Sequence, residues 1–216
     1  MTHGDPKTWV PYFRSADQIL MEQILKVWPK CLDVIPEQPE EDFITENLVN
    51  LLSKDIVVRK LGHLDYQYEP FKTRPDGAVE STGAVDFALI LDNDRSIYVA
   101  YECKRLNVRH SGSRRALATP YVNDGLMRFV MEKYSEGLPF ACMLGYVMDS
   151  DVRFARIKVW ETIVAHKRPL GLLSGPNSSE SLSFIERFIT THQRSGQSNR
   201  IEVRHAFLPF HLSAQN

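Results

Sequence analysis

Apolar positions recur along this chain in two rhythms. Ile19, Leu20, Ile24 and Val27 fall at helical spacing between Ser15 and Trp28. With Ser15 as N-cap and Pro29 as terminator, they predict an amphipathic helix. A proline-punctuated linker, Leu32 to Pro39, leads to a second helix, Pro39 to Asp55, with Glu40, Glu41 and Asp42 at the positive end of its dipole. Ile56 to Arg59 and Asp65 to Phe71 read as strands, and Lys72 to Gly77 as a turn containing Pro75-Asp76-Gly77. Two apolar strand runs follow, Gly83 to Leu91 and Ile97 to Lys104, joined by the polar turn Asp92 to Ser96.

Asn107 to Pro120 is polar, basic and serine-rich and reads as a loop; Tyr121 to Tyr134 reads as a helix. Pro139 to Met148 is a continuous apolar run suited to a buried strand. Val152 to His166 fits either an extended or a helical start. Lys167 to Ser179 reads as a loop, Ser181 to His192 as a helix with Leu182, Ile185, Phe188 and Ile189 on one face, and Ile201 to Phe210 as a last strand. This order predicts an α/β or α+β fold with one central mixed β-sheet flanked by helices. A helical lead-in (1–38) and a main body (39–216) form a single domain, as 216 residues suggest.

Composition narrows the setting. A net charge of -1 means that a nucleic-acid partner must be met by a local basic patch. Cys31, Cys103 and Cys142 lie far apart with no zinc spacing, so reduced thiols are expected. The N-terminus has no apolar signal region, and no apolar run approaches the ~20 residues that span a bilayer. A cytoplasmic protein with no membrane association is the expectation.

Three ionisable groups interrupt the two apolar strands: Asp86, Glu102 and Lys104. Alternate residues of a strand share a face, so Glu102 and Lys104 point the same way, about 7 Å apart. A carboxylate and an ammonium so placed can share a metal and its water, the chemistry of phosphodiester hydrolysis. If the two strands form a hairpin, Asp86 lies beside Glu102, and hard oxygen ligands favour Mg²⁺ or Mn²⁺. The plainer alternative is a solvated surface pair on one face of a hairpin.

Asp86, Glu102-Cys103-Lys104 and an upstream helical glutamate resemble the PD-(D/E)xK nuclease superfamily, the restriction-endonuclease-like fold, over roughly Pro39 to Met148. The residue before Asp86 is Val85 rather than proline. A literal Pro75-Asp76 exists, but in turn chemistry, so Asp86 is the preferred ligand over Asp76. The resemblance implies Mg²⁺ held by Asp86, Glu102 and the Cys103 carbonyl, and Lys104 positioning the attacking water. It also asks for a first-helix glutamate. Glu41 shares the stripe of Ile44, Leu48, Leu51 and Leu52, while Glu46 lies roughly 140° away, so Glu41 is chosen, and the resemblance implies that it joins the metal set by holding a metal-bound water or a second ion; dipole compensation is its compatible second role.

Arg105, Arg109, Arg114 and Arg115 form the strongest basic cluster and are expected to contact phosphates, with Tyr121 and Arg128 on the next helix as further substrate contacts. Gly125, costly inside a helix, signals close packing or close approach of substrate. His205 and His211, flanking the last strand, read as structural or surface groups. No glycine-rich phosphate loop suggests an ATPase. The function expected is a metal-dependent endonuclease, most readily on DNA, acting as a homodimer or as the nuclease subunit of a bacterial defence system such as phage defence. An RNA-cleaving enzyme of the same fold and a non-catalytic nucleic-acid- or protein-interaction module that keeps the fold are the alternatives.

Overall fold

A computed structural model describes residues 6–74, 76–93, 95–178, 182–194 and 200–212. Pro75 and Asp94 of the two predicted turns, and Ser179 and Ser181 at the edges of predicted elements, lie outside the described residues. The helices are α1 (Val10–Leu32), α2 (Glu41–Ser53), α3 (Ile56–Leu61), α4 (Ala118–Pro120), α5 (Met127–Val130) and α6 (Val152–Ala165), with a π-helical segment, Tyr121–Leu126, joining α4 to α5. The strands are β1 (His63–Tyr68), β2 (Phe71–Thr73), β3 (Val79–Ser81), β4 (Val85–Ile90), β5 (Tyr98–Leu106), β6 (Val108–His110), β7 (Ser113–Arg115), β8 (Phe140–Val147), β9 (Leu172–Ser178), β10 (Glu186–Gln193) and β11 (Arg200–Pro209).

Seven strands form one mixed sheet in the order β1-β4-β5-β8-β11-β10-β9. Its three central strands are parallel and its flanks antiparallel. Burial on both faces explains the near-continuous apolar runs of β5 and β8. On one face lie α1 and α2. Trp28 of α1 stacks on Tyr146 of β8 at 5.7 Å and donates its indole N–H to the Pro209 carbonyl at 2.8 Å. The predicted lead-in is thus part of the common core. The π-segment and α6 cover the other face, where Trp160 and Phe188 meet edge to face.

Several elements depart from the sequence reading, each for a local reason. Pro29 does not end α1; the helix starts earlier, with Pro11 in its first turn, and runs on to Leu32. Ser15 is not the N-cap but an interior residue donating to the Pro11 carbonyl at 3.0 Å. Ile56 to Arg59 is helical, not a strand, because the Asp55 side chain caps the amides of Val57 (2.8 Å) and Val58 (3.1 Å), overriding the β-branched run. The predicted loop from Asn107 carries a hairpin, β6–β7, turning on Ser111 and Gly112, both at positive φ. Part of the predicted Lys167 to Ser179 loop is β9. The predicted helix ending at His192 is strand β10, whose Phe188, Thr190 and His192 alternate inward between two neighbouring strands.

Those inward residues build a buried relay. His192 Nδ1 lies 2.9 Å from the Leu170 carbonyl, which can only accept, so that nitrogen carries the proton. His192 Nε2 therefore accepts from Thr190 (2.7 Å), Thr190 accepts from His205 Nε2 (2.9 Å), and His205 Nδ1 accepts from Tyr121 (3.0 Å). Burial lowers His205 well below the usual histidine range and His192 to about 4. Because the unfolded chain takes up the His192 proton first, stability present above pH 6.5 is lost as pH falls toward 4. The expected loss is about 3 kcal/mol. Urea midpoints at pH 7 and pH 4 will show a smaller difference in His192→Gln than in wild type.

Candidate active site

The β4–β5 ladder pairs Phe87 with Tyr101 and stops there. Two residues further along β5, beyond the last β4 pair, the Cys103 amide donates to the Asp86 side chain, Oδ2, at 2.5 Å. Side chains from both faces of the sheet meet at this gap. Lys104 Nζ is its centre, 2.9 Å from Glu41 Oε1, 3.0 Å from Glu102 Oε1 and 2.7 Å from the Cys103 carbonyl. Glu41, in the first turn of α2, also accepts the Arg105 amide through Oε2 at 2.6 Å. Glu46 is exposed, as its helical phase requires.

Glu102 is fully buried. Its Oε1 additionally takes Arg128 at 3.0 Å; its Oε2 has no hydrogen-bond partner. Arg128 is fixed by the Tyr134 hydroxyl at 2.9 Å, and that hydroxyl donates to the Ala84 carbonyl at 2.6 Å, just ahead of β4. The π-segment lets α5 present Arg128 to Glu102. Gly125, at the end of that segment, lies flat against the site: a Cβ there meets Met143 Cε at 2.5 Å and Glu102 Cγ at 3.5 Å. Close packing is therefore what this glycine serves. Gly125→Val is expected to cost about 1–3 kcal/mol by overpacking, read from urea denaturation.

Three carboxylates (Asp86, Glu102, Glu41) face two cations (Lys104, Arg128). Burial pushes Asp86 up to about 6 against the pull of Lys104 and the Cys103 amide. Burial and then the Asp86 charge push Glu102 up to about 7 despite Lys104 and Arg128. Burial disfavours the Lys104 ammonium, but Glu102, Asp86 and Glu41 together outweigh it and raise its pKa. Lys104 is thus held protonated, a donor and a positive charge rather than a base.

Among the described residues, no three His, Cys, Asp or Glu side chains form a ready metal cage. The ammonium of Lys104 serves as the shared cation. The donor set is nevertheless hard and anionic, and Glu102 Oε2 is a buried carboxylate oxygen without a donor. Such a set suits Mg²⁺ or Mn²⁺.

The expected nucleic-acid contacts divide. Arg109 and Arg115 are exposed on the β6–β7 hairpin. Arg105 turns inward, donating to the Pro39 carbonyl (2.6 Å) and pairing with Glu40 (2.7 Å), where it ties β5 to the start of α2. Arg114 is held by Asp149 (2.6 Å) and Asp151 (3.1 Å) over the Phe154 ring, so it fastens the hairpin to α6 instead of waiting for phosphate. Tyr121 is fully buried on His205 and belongs to the core, not to a substrate surface. Arg128 is a partner of Glu102. Asp76 sits in the β2–β3 turn, accepting the Ala78 amide at 3.0 Å and pairing with Arg74, which leaves Asp86 as the aspartate beside Glu102. Tyr134 was invisible in the sequence: a tyrosine at the end of a helix carries no signal of its own.

Comparison with protein families, curated proteins and solved structures finds no match to this chain.

Proposed function

We propose that this protein is a metal-dependent nuclease of PD-(D/E)xK type on a restriction-endonuclease-like core, hydrolysing phosphodiester bonds, most readily in DNA. One observation carries the reading: Asp86, Glu102, Lys104 and Glu41, from β4, β5 and α2, meet in a single network where the β4–β5 ladder ends. Structural ion pairs need no such convergence across two faces of a sheet, nor a buried carboxylate oxygen left without a donor.

Asp86, Glu102 and the Cys103 carbonyl would hold Mg²⁺ or Mn²⁺. Bound there, the metal supplies Lewis-acid polarisation of a phosphoryl oxygen and stabilises charge developing on it. Lys104 gives hydrogen bonds to the attacking water and positive charge to the phosphoryl group. Glu41 Oε1, which shares Lys104 Nζ, is the acceptor for the water's proton. The water oxygen bonds to phosphorus as the ester P–O bond opposite it breaks. Arg128 keeps Glu102 oriented.

A second reading has its own support: every charge in the network already has an internal partner, as in a scaffold that keeps the fold and binds without cutting. Supercoiled plasmid, linear duplex, single-stranded DNA and RNA, incubated with Mg²⁺, Mn²⁺ or EDTA, separate the two. Wild type is expected to cut at least one with either metal and none with EDTA. No cutting, together with no Mg²⁺ binding by calorimetry, establishes the scaffold instead.

A further inference from the structure

A cavity of about 420 Å³ opens on the Glu102 face of the sheet, between the end of β1, the foot of the β2–β3 hairpin, the β4–β5 connection and the turn after α5. Tyr98 and Glu102 stand on the same face of β5, about 13 Å apart along the strand, within a few nucleotides' length.

Its lining combines three kinds of group. Tyr68 and Tyr98 meet edge to face at 4.9 Å, and Phe71 projects beside them, 71% exposed. Arg95 lies over the Tyr68 ring at 5.1 Å, and Lys133 lies 5.8 Å from the ring of Tyr134, the partner of Arg128. Arg95 is already paired with Asp65, whereas Lys133 has no acidic partner among the described residues. Among the described residues, Glu136 is the one carboxylate in the lining. Ser135 in the wall is fully buried, its hydroxyl has no hydrogen-bond partner, and its backbone sits at φ 54°. A buried hydroxyl of that kind calls for a ligand group.

We infer that this cavity takes one unpaired nucleotide of the substrate strand, its base against Phe71 and its phosphate at Lys133. The inference rests on the nuclease reading for the identity of its ligand. An exposed ring at the mouth of a concave, partly cationic pocket is what a splayed base stacks on.

The test is fluorescence anisotropy of labelled ten-residue DNA and RNA single strands and of a blunt duplex, in EDTA, with the full chain. Wild type is expected to bind at least one single strand more tightly than the duplex. Phe71→Ala weakens that single-strand binding about tenfold and leaves duplex binding unchanged; Phe71→Tyr restores it. Lys133→Ala weakens it severalfold and reduces its salt dependence. Phe71 is exposed on a two-stranded hairpin, and an unchanged urea midpoint confirms the variant's fold. Wild type that ignores single strands, or Phe71→Ala that binds them like wild type, overturns the inference. No metal is present, so the two readings fail separately. Plasmid cutting with unchanged Phe71→Ala binding removes the pocket alone. Phe71-dependent binding in a protein that neither cuts nor binds Mg²⁺ keeps the pocket and removes the nuclease.

Discussion

Asp86→Asn is expected to lower metal-dependent strand cleavage on the order of 10³-fold while leaving the metal-free protein as stable as wild type or more so. The two halves have one cause. The side-chain carbonyl of the substituted amide still accepts the Cys103 N–H, so the local geometry at the end of the β4–β5 ladder survives. What disappears is one of three carboxylates facing Lys104 and Arg128. In the wild type, burial raises the Asp86 carboxyl to about 6, which means that its ionised form is disfavoured in the folded chain. Removing that charge balances the cluster and relieves Glu102, whose own carboxyl the Asp86 charge raises. A plasmid-nicking time course and a urea titration in EDTA, run on the same two proteins, check both. Lost cutting with a large fall in stability shows Asp86 to be structural; retained cutting removes it from the site.

Asp17→Ala is expected to destabilise the fold by about 3–5 kcal/mol, more than any substitution in the Asp86–Glu102–Lys104 cluster. Asp17, on the buried face of α1, is 1% exposed. Its Oδ2 takes Arg204 at 2.9 Å and, in a very short contact, Arg187; its Oδ1 takes the Tyr101 hydroxyl and the Cys142 thiol, each at 3.2 Å. The carboxylate thus binds β5, β8, β10 and β11 to α1. Its removal leaves Arg187, only 4% exposed at the side chain, without an anion in the core. Asp17→Asn keeps acceptors for part of this set and falls between alanine and wild type. Urea denaturation of the three proteins gives the order; an Asp17→Ala midpoint within error of wild type overturns the account.

The two sites were unequally legible in the sequence. Asp86, Glu102 and Lys104 could be found because charge inside an apolar strand is conspicuous, and the period of two then fixed the shared face. Glu41 could be chosen over Glu46 because helical phase is computable from spacing. Asp17 could not be found: an acid in an amphipathic helix is ordinary, and only the arginines of β10 and β11, nearly two hundred residues away, show which way it points. The same blindness misread the segment that ends in β10: Leu182, Ile185, Phe188 and Ile189 mimic a helical stripe, but from Glu186 on pairing with β9 and β11 decides the conformation. Tyr121 and Arg114 failed for a related reason. Their residue types suit nucleic acid, and what withdraws them is a buried histidine in one case and two aspartates after β8 in the other.

The position of β11 also sets an order of events during synthesis. It lies in the interior of the sheet, in parallel register with β8, although α6, β9 and β10 separate the two in the chain. While a ribosome has yet to release Arg200–Pro209, β8 can pair with β5 on one side only, and Asp17 lacks Arg204. The loop that must close is long, and parallel pairings of this kind form slowly. A nascent chain therefore carries Asp86, Glu102 and Lys104 early but lacks the completed sheet that holds β5 in place. Maturation of the centre is tied to the arrival of a strand that contributes none of its chemistry.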